Sequence, residues 1–150
     1  RLGVMGWSYG GYMTSWIVGH TDRFKAASIG APVTDLRAMN GTSDIPDFLP
    51  HHLQGEIWEQ EQRYRDLSPL TYVDKVTTPS LVQHGEKDLR VPLGQGTAFY
   101  RALKRLGVET KMVVYPRARH SPHEPRQTLD LMKSNLEWFQ KYIPTGELGE

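Results

Sequence analysis

No cysteine occurs among the 150 residues. Disulfides, thiol nucleophiles and thiolate metal sites are thereby excluded. The same absence fits a reducing compartment, and a cytoplasmic location is the expectation. An excess of charge of either sign is missing as well. Eighteen Lys and Arg against 17 Asp and Glu leave a formal net charge of +1, which gives no electrostatic argument for nucleic acid or an anionic membrane as partner. No apolar run approaches the roughly 20 residues that span a bilayer, and no signal-peptide pattern is visible. Repeats and low-complexity segments are also lacking. What is present is 38% hydrophobic and 23% charged residues, a globular balance in a chain long enough for one core.

The richest local pattern is Gly6-Trp7-Ser8-Tyr9-Gly10-Gly11. It follows an apolar run at 2–5, read as a buried strand, and precedes a helix expected over 9–20. Tyr12, Met13, Trp16 and Ile17 share one face of that helix at spacings of three and four. A Gly-x-Ser-x-Gly sequence between strand and helix places the serine on a sharp turn with its hydroxyl exposed above the sheet edge. Gly6 and Gly10 are expected where a Cβ would collide with a neighbouring strand or helix. The first amides of the helix would point at whatever the serine attacks and suit a developing negative charge. A glycine-rich loop before a helix is the plain alternative, and partners downstream must decide.

Further along, a second strand is read at 24–30, with small residues suited to a central position between helices. Residues 40–44 are turn material, and 45–53 a short helix or lid. A helix over 56–67 is expected to carry Glu59–Arg63 and Glu61–Arg65 pairs. Ser68-Pro69 opens another short helical stretch. A third strand falls at 80–84 and an amphipathic helix at 93–106, with Phe99, Leu103 and Leu106 inward and Gly107 as its stop. A fourth strand is read at 110–115, and a last helix at 128–142 with an apolar stripe of Leu129, Met132, Leu136, Phe139 and Ile143. Residues 1–143 form one unit and 144–150 a frayed tail. Strand, helix, strand, long connection, strand, helix, strand, helix implies a parallel sheet with helices on both faces.

Ligands of such a sheet bind beyond the carboxyl ends of its strands. Ser8 follows the first strand, Gly85-Glu86-Lys87-Asp88 the third, and Arg117-Ala118-Arg119-His120 the fourth. Serine, acid, histidine is the chain order of an α/β-hydrolase triad. The chemistry needs all three: a serine hydroxyl is a weak nucleophile, an imidazole must take its proton, and a carboxylate must orient that imidazole and stabilise its cation. Asp88 competes with Glu86 and is preferred because it lies deeper in its loop; a helix cap or turn is its plain reading. His120 competes with His123, close by. His84 ends a strand and is expected to pack structurally, and His51 and His52 to lie at the surface. His20 is a further candidate. No pair of histidines has metal-site spacing.

With these residues in place, the chain resembles the carboxyl-terminal half of the catalytic domain of the prolyl oligopeptidase family of serine peptidases. It is most similar to the acylaminoacyl-peptidase and dipeptidyl-peptidase-like branches. The likeness runs from Arg1 to about Ile143 and rests on three ordered motifs: Gly6-Trp7-Ser8-Tyr9-Gly10-Gly11-Tyr12, His84-Gly85-Glu86-Lys87-Asp88-Leu89-Arg90-Val91-Pro92, and Tyr115-Pro116-Arg117 followed by His120. The resemblance implies a partial α/β-hydrolase fold, with Ser8 as nucleophile, Asp88 as acid and His120 as base. His120 is preferred to His123 because the family's histidine follows Tyr-Pro-Arg at this distance. Tyr9 would lend its backbone N–H to the oxyanion hole. Ser121 stands where the family often has glycine.

The expected function is therefore hydrolysis of short peptides through an acyl-enzyme, without metal or organic cofactor. An esterase on the same fold is the alternative, since a triad does not choose between amide and ester. The resemblance also implies preceding hydrolase strands, a loop with a second oxyanion donor, and an amino-terminal β-propeller. Because the chain starts at Arg1 and reaches Ser8 at once, it is expected to be part of a longer polypeptide, and a catalytically incomplete fragment is the further alternative. A half sheet would expose an apolar edge and invite self-association. The substrate pocket is expected to draw on residues 33–53.

Overall fold

The computed structural model describes residues 1–143; the tail expected at 144–150 lies outside them. Four parallel strands form one sheet in sequence order: β1 (Gly3–Trp7), β2 (Ala26–Gly30), β3 (Ser80–Gly85) and β4 (Thr110–Tyr115). The register sets Trp7 beside Gly30, Gly30 beside Gln83 and Gly85 beside Tyr115, so β1 and β2 end together and β3 and β4 run two residues further. Helix α1 (Tyr9–Val18) follows β1, and α5 (Gly94–Arg105) and α6 (Pro125–Tyr142) follow β3 and β4. Between β2 and β3 lie three short helices, α2 (Leu36–Asn40), α3 (Phe48–Leu53) and α4 (Glu61–Asp66), and a 3₁₀ stretch, Pro69–Lys75.

Alternation along β2 divides the core. Ala27 and Ile29 face α1 and α5, packing with Val18, Val76, Phe99 and Leu103. Ala26 faces the other way, with Leu81 of β3 and Trp138 of α6. Phe99 and Leu103 are fully buried, which stabilises the fold by roughly 1.5–3 kcal/mol for each. A second core, under the insert, joins Leu36, Met39, Leu49, Leu53, Tyr64 and Val91. Every residue of β2 is buried, as expected of a central strand in a sheet covered on both faces.

Several side chains point differently from the periodicity reading. Helix α1 buries Gly11, Thr14, Ser15 and Val18, and the aromatic face turns away from the sheet. The reason is proximity: β2 approaches too closely for large groups, and Thr14 and Ser15 return their hydroxyls to the carbonyls of Gly10 and Gly11 at 2.8 and 2.6 Å. Leu106 is 49% exposed, because α5 ends at Arg105 and Leu106 is its cap. On α6, Leu129, Met132 and Leu136 are 53, 63 and 58% exposed, and Trp138 and Ser134 face the sheet instead. The Glu59–Arg63 and Glu61–Arg65 pairs do not form. Helix α4 begins only at Glu61, Glu59 accepts from the Glu56 N–H at 3.0 Å, and Arg63 donates to Gln54 Oε1 at 3.3 Å. No helix among the described residues is long and apolar enough to cross a membrane.

Candidate active site

The site is built at the carboxyl ends of β1, β3 and β4. Ser8 stands between β1 and α1 with φ 61° and ψ −118°, a backbone state that non-glycine residues rarely adopt and that concentrates at functional sites. The elbow is held at both sides. The Ser8 N–H donates to Gly30 O at 2.9 Å, and Ser8 O accepts from Tyr12 N at 2.9 Å. A Cβ on Gly6 would overlap the carbonyl of Gly10, and one on Gly11 would overlap the carbonyl of Gly30. Gly10 was expected to share this crowding, yet among the described residues nothing lies near its Cβ position. The second tight glycine is Gly11, where α1 crosses closest to β2.

Asp88 reaches the site from the loop after β3. Its Oδ1 accepts the N–H groups of Arg90 and Val91, each at 2.9 Å, and its Oδ2 faces His120 Nδ1 at 2.8 Å. The side chain has no solvent exposure. Burial alone would raise its carboxyl, but hydrogen bonds from His120, His84 and Val91 outweigh burial and hold it well below the usual carboxylate range. The fully buried His84 supports the same loop, its Nε2–H donating to Val91 O at 2.7 Å and lying 3.5 Å from Asp88 Oδ2. Glu86 points outward and accepts the Arg117 N–H at 2.7 Å.

His120 comes from the irregular loop after β4. Its Nε2 lies 2.7 Å from Ser8 Oγ. A carboxylate only accepts, so Nδ1 carries the hydrogen towards Asp88 and Nε2 accepts the Ser8 hydroxyl. Residues 8, 88 and 120 thus form one chain of two hydrogen bonds across 112 residues of sequence. The rival histidines do not join it. His123 is exposed, as are His51, His52 and His20. Ser121 does not have a positive φ, so its place in the loop does not require glycine.

The first amide of a helix has no intrahelical acceptor, and Tyr9 N–H makes no hydrogen bond among the described residues. Beside it, Tyr9 and Tyr12 open onto an apolar cavity of about 270 Å³ whose walls include Val33, Leu36, Leu49 and Leu53. The Tyr12 hydroxyl donates to Leu67 O at 2.9 Å; burial, and then nearby Tyr9, push its ionisation up to about 12. Residues 33–53 were expected to line such a pocket. The contributions of Tyr9, Tyr12 and Leu67 were not, because an aromatic stripe at helical spacing reads equally well as core. Trp7 was also missed. Its indole N–H donates to the backbone carbonyl of His120 at 2.8 Å, a contact between segments 113 residues apart that no local pattern announces.

A parallel sheet with a serine elbow at the end of its first strand and the family's motifs on the neighbouring loops defines an α/β-hydrolase peptidase. More closely, the chain belongs to the prolyl oligopeptidase family of serine peptidases, whose sequence profile matches residues 1–145. It is 41% identical over 147 residues to YuxL, an uncharacterized peptidase of Bacillus subtilis (strain 168), covering 95% of this chain and 22% of that relative. It is 36% identical over 151 residues to an acylamino-acid-releasing enzyme of Arabidopsis thaliana, covering 95% of this chain and 20% of the relative. The acylaminoacyl peptidase of Pyrococcus horikoshii superimposes with a TM-score of 0.90 at 32% identity, over 100% of this chain and 25% of that one. The chain therefore spans about a fifth to a quarter of the length of these relatives.

Proposed function

We propose that Ser8, His120 and Asp88 act as nucleophile, base and acid in the hydrolysis of short peptides through an acyl-enzyme. The observation that carries this reading is the unbroken pair of hydrogen bonds, Ser8 to His120 at 2.7 Å and His120 to Asp88 at 2.8 Å. Ser8 Oγ attacks the scissile carbonyl as its proton passes to His120 Nε2. Asp88, acceptor-only and buried, stabilises the imidazolium that results. The carbonyl oxygen gains negative charge and meets the Tyr9 N–H at the positive end of α1. His120 then gives its proton to the leaving amine, the C–N bond breaks, and an ester to Ser8 remains. Water, deprotonated by the same imidazole, attacks that ester and releases the acid. The apolar cavity beside Tyr9 receives a hydrophobic side chain of the substrate.

These residues work, in this reading, as the carboxyl-terminal part of a larger catalytic domain. Two facts support it: the relatives are four to five times longer, and Met5 on β1 and Leu129, Met132 and Leu136 on α6 are exposed large apolar side chains. Further strands of the same polypeptide would cover that surface and supply a second oxyanion donor. Loss of one such donor costs on the order of a hundredfold or more in turnover.

The test compares a short N-acyl peptide anilide with a nitrophenyl ester of the same acyl group, using the complete polypeptide and its Ser8→Ala variant. Turnover of both substrates, lost in the variant by about 10⁴-fold or more, is the expected result. Ester turnover without anilide turnover would move the reading to an esterase, and an active Ser8→Ala enzyme would remove Ser8 from the mechanism.

A further inference from the structure

The residue before the serine has a task of its own. Trp7 is the last residue of β1, and its neighbour across the sheet is Gly30. The six-membered ring of Trp7 fills the space where a Cβ at residue 30 would stand. With the ring seated on β2, the indole N–H points to the loop after β4 and donates to His120 O at 2.8 Å. Among the described residues this is the only hydrogen bond made by the backbone of residues 119–121. The next anchors lie at Ala118, whose carbonyl accepts the Lys87 N–H at 2.8 Å, at Arg117, whose N–H donates to Glu86, and at Pro122, whose carbonyl accepts the Thr128 hydroxyl at the longer distance of 3.4 Å.

The imidazole of His120 is therefore fixed at two points. Asp88 holds the ring at Nδ1, and that contact alone leaves the ring free to swing about the carboxylate as the loop shifts. The second point is the backbone carbonyl, and its partner is covalently continuous with Ser8. Ser8 is in turn tied to Gly30 by its own N–H, so Trp7 and Ser8 share one rigid platform. A shift of about 1 Å between reacting groups can cost on the order of a hundredfold in rate.

We propose that Trp7 is a positioning residue: its indole N–H sets the His120 backbone relative to the elbow and so fixes the Ser8–His120 distance. The inference rests on the triad reading above and adds to it a donor that never touches substrate. It predicts a particular kinetic signature. Substrate binding stays as it was, because the apolar cavity beside Tyr9 is not lined by Trp7. The chemical step slows, because proton transfer from Ser8 needs the short contact.

The experiment replaces Trp7 in the complete polypeptide by 3-benzothienylalanine, which keeps the ring shape and exchanges the N–H for sulfur. Trp7→Phe is the simpler companion, and 5-fluorotryptophan, which keeps the donor, is the control for incorporation. Expected are a kcat reduced roughly ten- to a hundredfold, KM within about twofold, an unchanged melting temperature, and wild-type kinetics for the fluorinated enzyme. A benzothienyl enzyme with wild-type kcat overturns the inference, even where Trp7→Phe fails to fold. So does a loss shared equally by the fluorinated control. Ser8→Ala measured alongside separates the two levels: if it is inert while the benzothienyl enzyme is normal, only the role of Trp7 falls. If Ser8→Ala is active, the triad reading falls and this inference with it.

Discussion

Segments 6–11 and 116–124 bring the two ends of one hydrogen bond together by different means. The elbow is placed by backbone crowding. Gly6 and Gly11 let chain segments approach where no Cβ fits, and a sheet carbonyl holds the Ser8 N–H. The loop that carries His120 has no regular structure and borrows its shape from elsewhere, through Glu86, the Lys87 amide and the Trp7 indole. Hard contacts thus position Ser8, the proposed nucleophile, and directed hydrogen bonds position His120, its proposed base. Damage to the first should unfold or distort, whereas damage to the second should slow chemistry in an intact protein.

The largest effect that sharpens this contrast is expected at Asp88. Asp88→Asn keeps the shape but no longer dictates the tautomer of His120, and a loss of about 10⁴-fold in kcat is expected, read by steady-state kinetics on the complete polypeptide. The same substitution tests the carboxylate's contribution to stability. Its folded ionisation is depressed, so the contribution is present above the unfolded value of about 3.9 and is lost as pH falls through the lower folded value. Denaturant titrations from about pH 6 down to pH 3 should show wild type losing more stability than Asp88→Asn; parallel curves would deny the depressed carboxyl.

Next in size is Gly11→Ala. Its new Cβ meets the Gly30 carbonyl, a backbone atom with little freedom to retreat. Overpacking of this kind costs roughly 1–3 kcal/mol, so a lower denaturation midpoint should accompany any loss of activity. A variant as stable as wild type but slow would place the elbow among the hydrogen-bonded, adjustable parts and dissolve the comparison.

How much of this was legible beforehand divides along the same line. The strand at 110–115 and the ends of those at 24–30 and 80–84 could be read to within a residue because apolar runs mark them, whereas β1 runs on to Trp7, past the apolar run at 2–5, because Gly6 reads as turn. Ser8, Asp88 and His120 could be marked as candidates because ligands of a parallel sheet bind beyond its strand ends, and the preference for His120 over His123 rested on the family resemblance. The faces of α1 and α6 could not. Periodicity reports that a helix has an apolar stripe, not which surface covers it. On α6 the inward residues include Asn135, which accepts from Ser28 at 2.5 Å and Gln83 at 2.8 Å, a polar network that a count of apolar spacings passes over. On α1 the closeness of β2 selects small side chains, and only the packed structure reveals that distance. The Trp7–His120 contact was hidden for a further reason, since it joins two segments that share no pattern.

The smallest effect is expected at the rim of the loop. Arg117 and Glu124 form an exposed ion pair at 3.0 Å. Exposed pairs contribute about 0–1 kcal/mol, so Glu124→Gln should leave kcat within about twofold and stability nearly unchanged. A tenfold loss of kcat would mean that surface charge, rather than the Trp7 and Asp88 contacts, holds His120 in place.

The most direct measurement of the central claim is to locate a fluorophosphonate adduct by peptide mapping in the complete polypeptide. The adduct is predicted on Ser8, formed at a rate that falls by orders of magnitude in His120→Ala. Labelling of another serine, or undiminished labelling of Ser8 without His120, would contradict it.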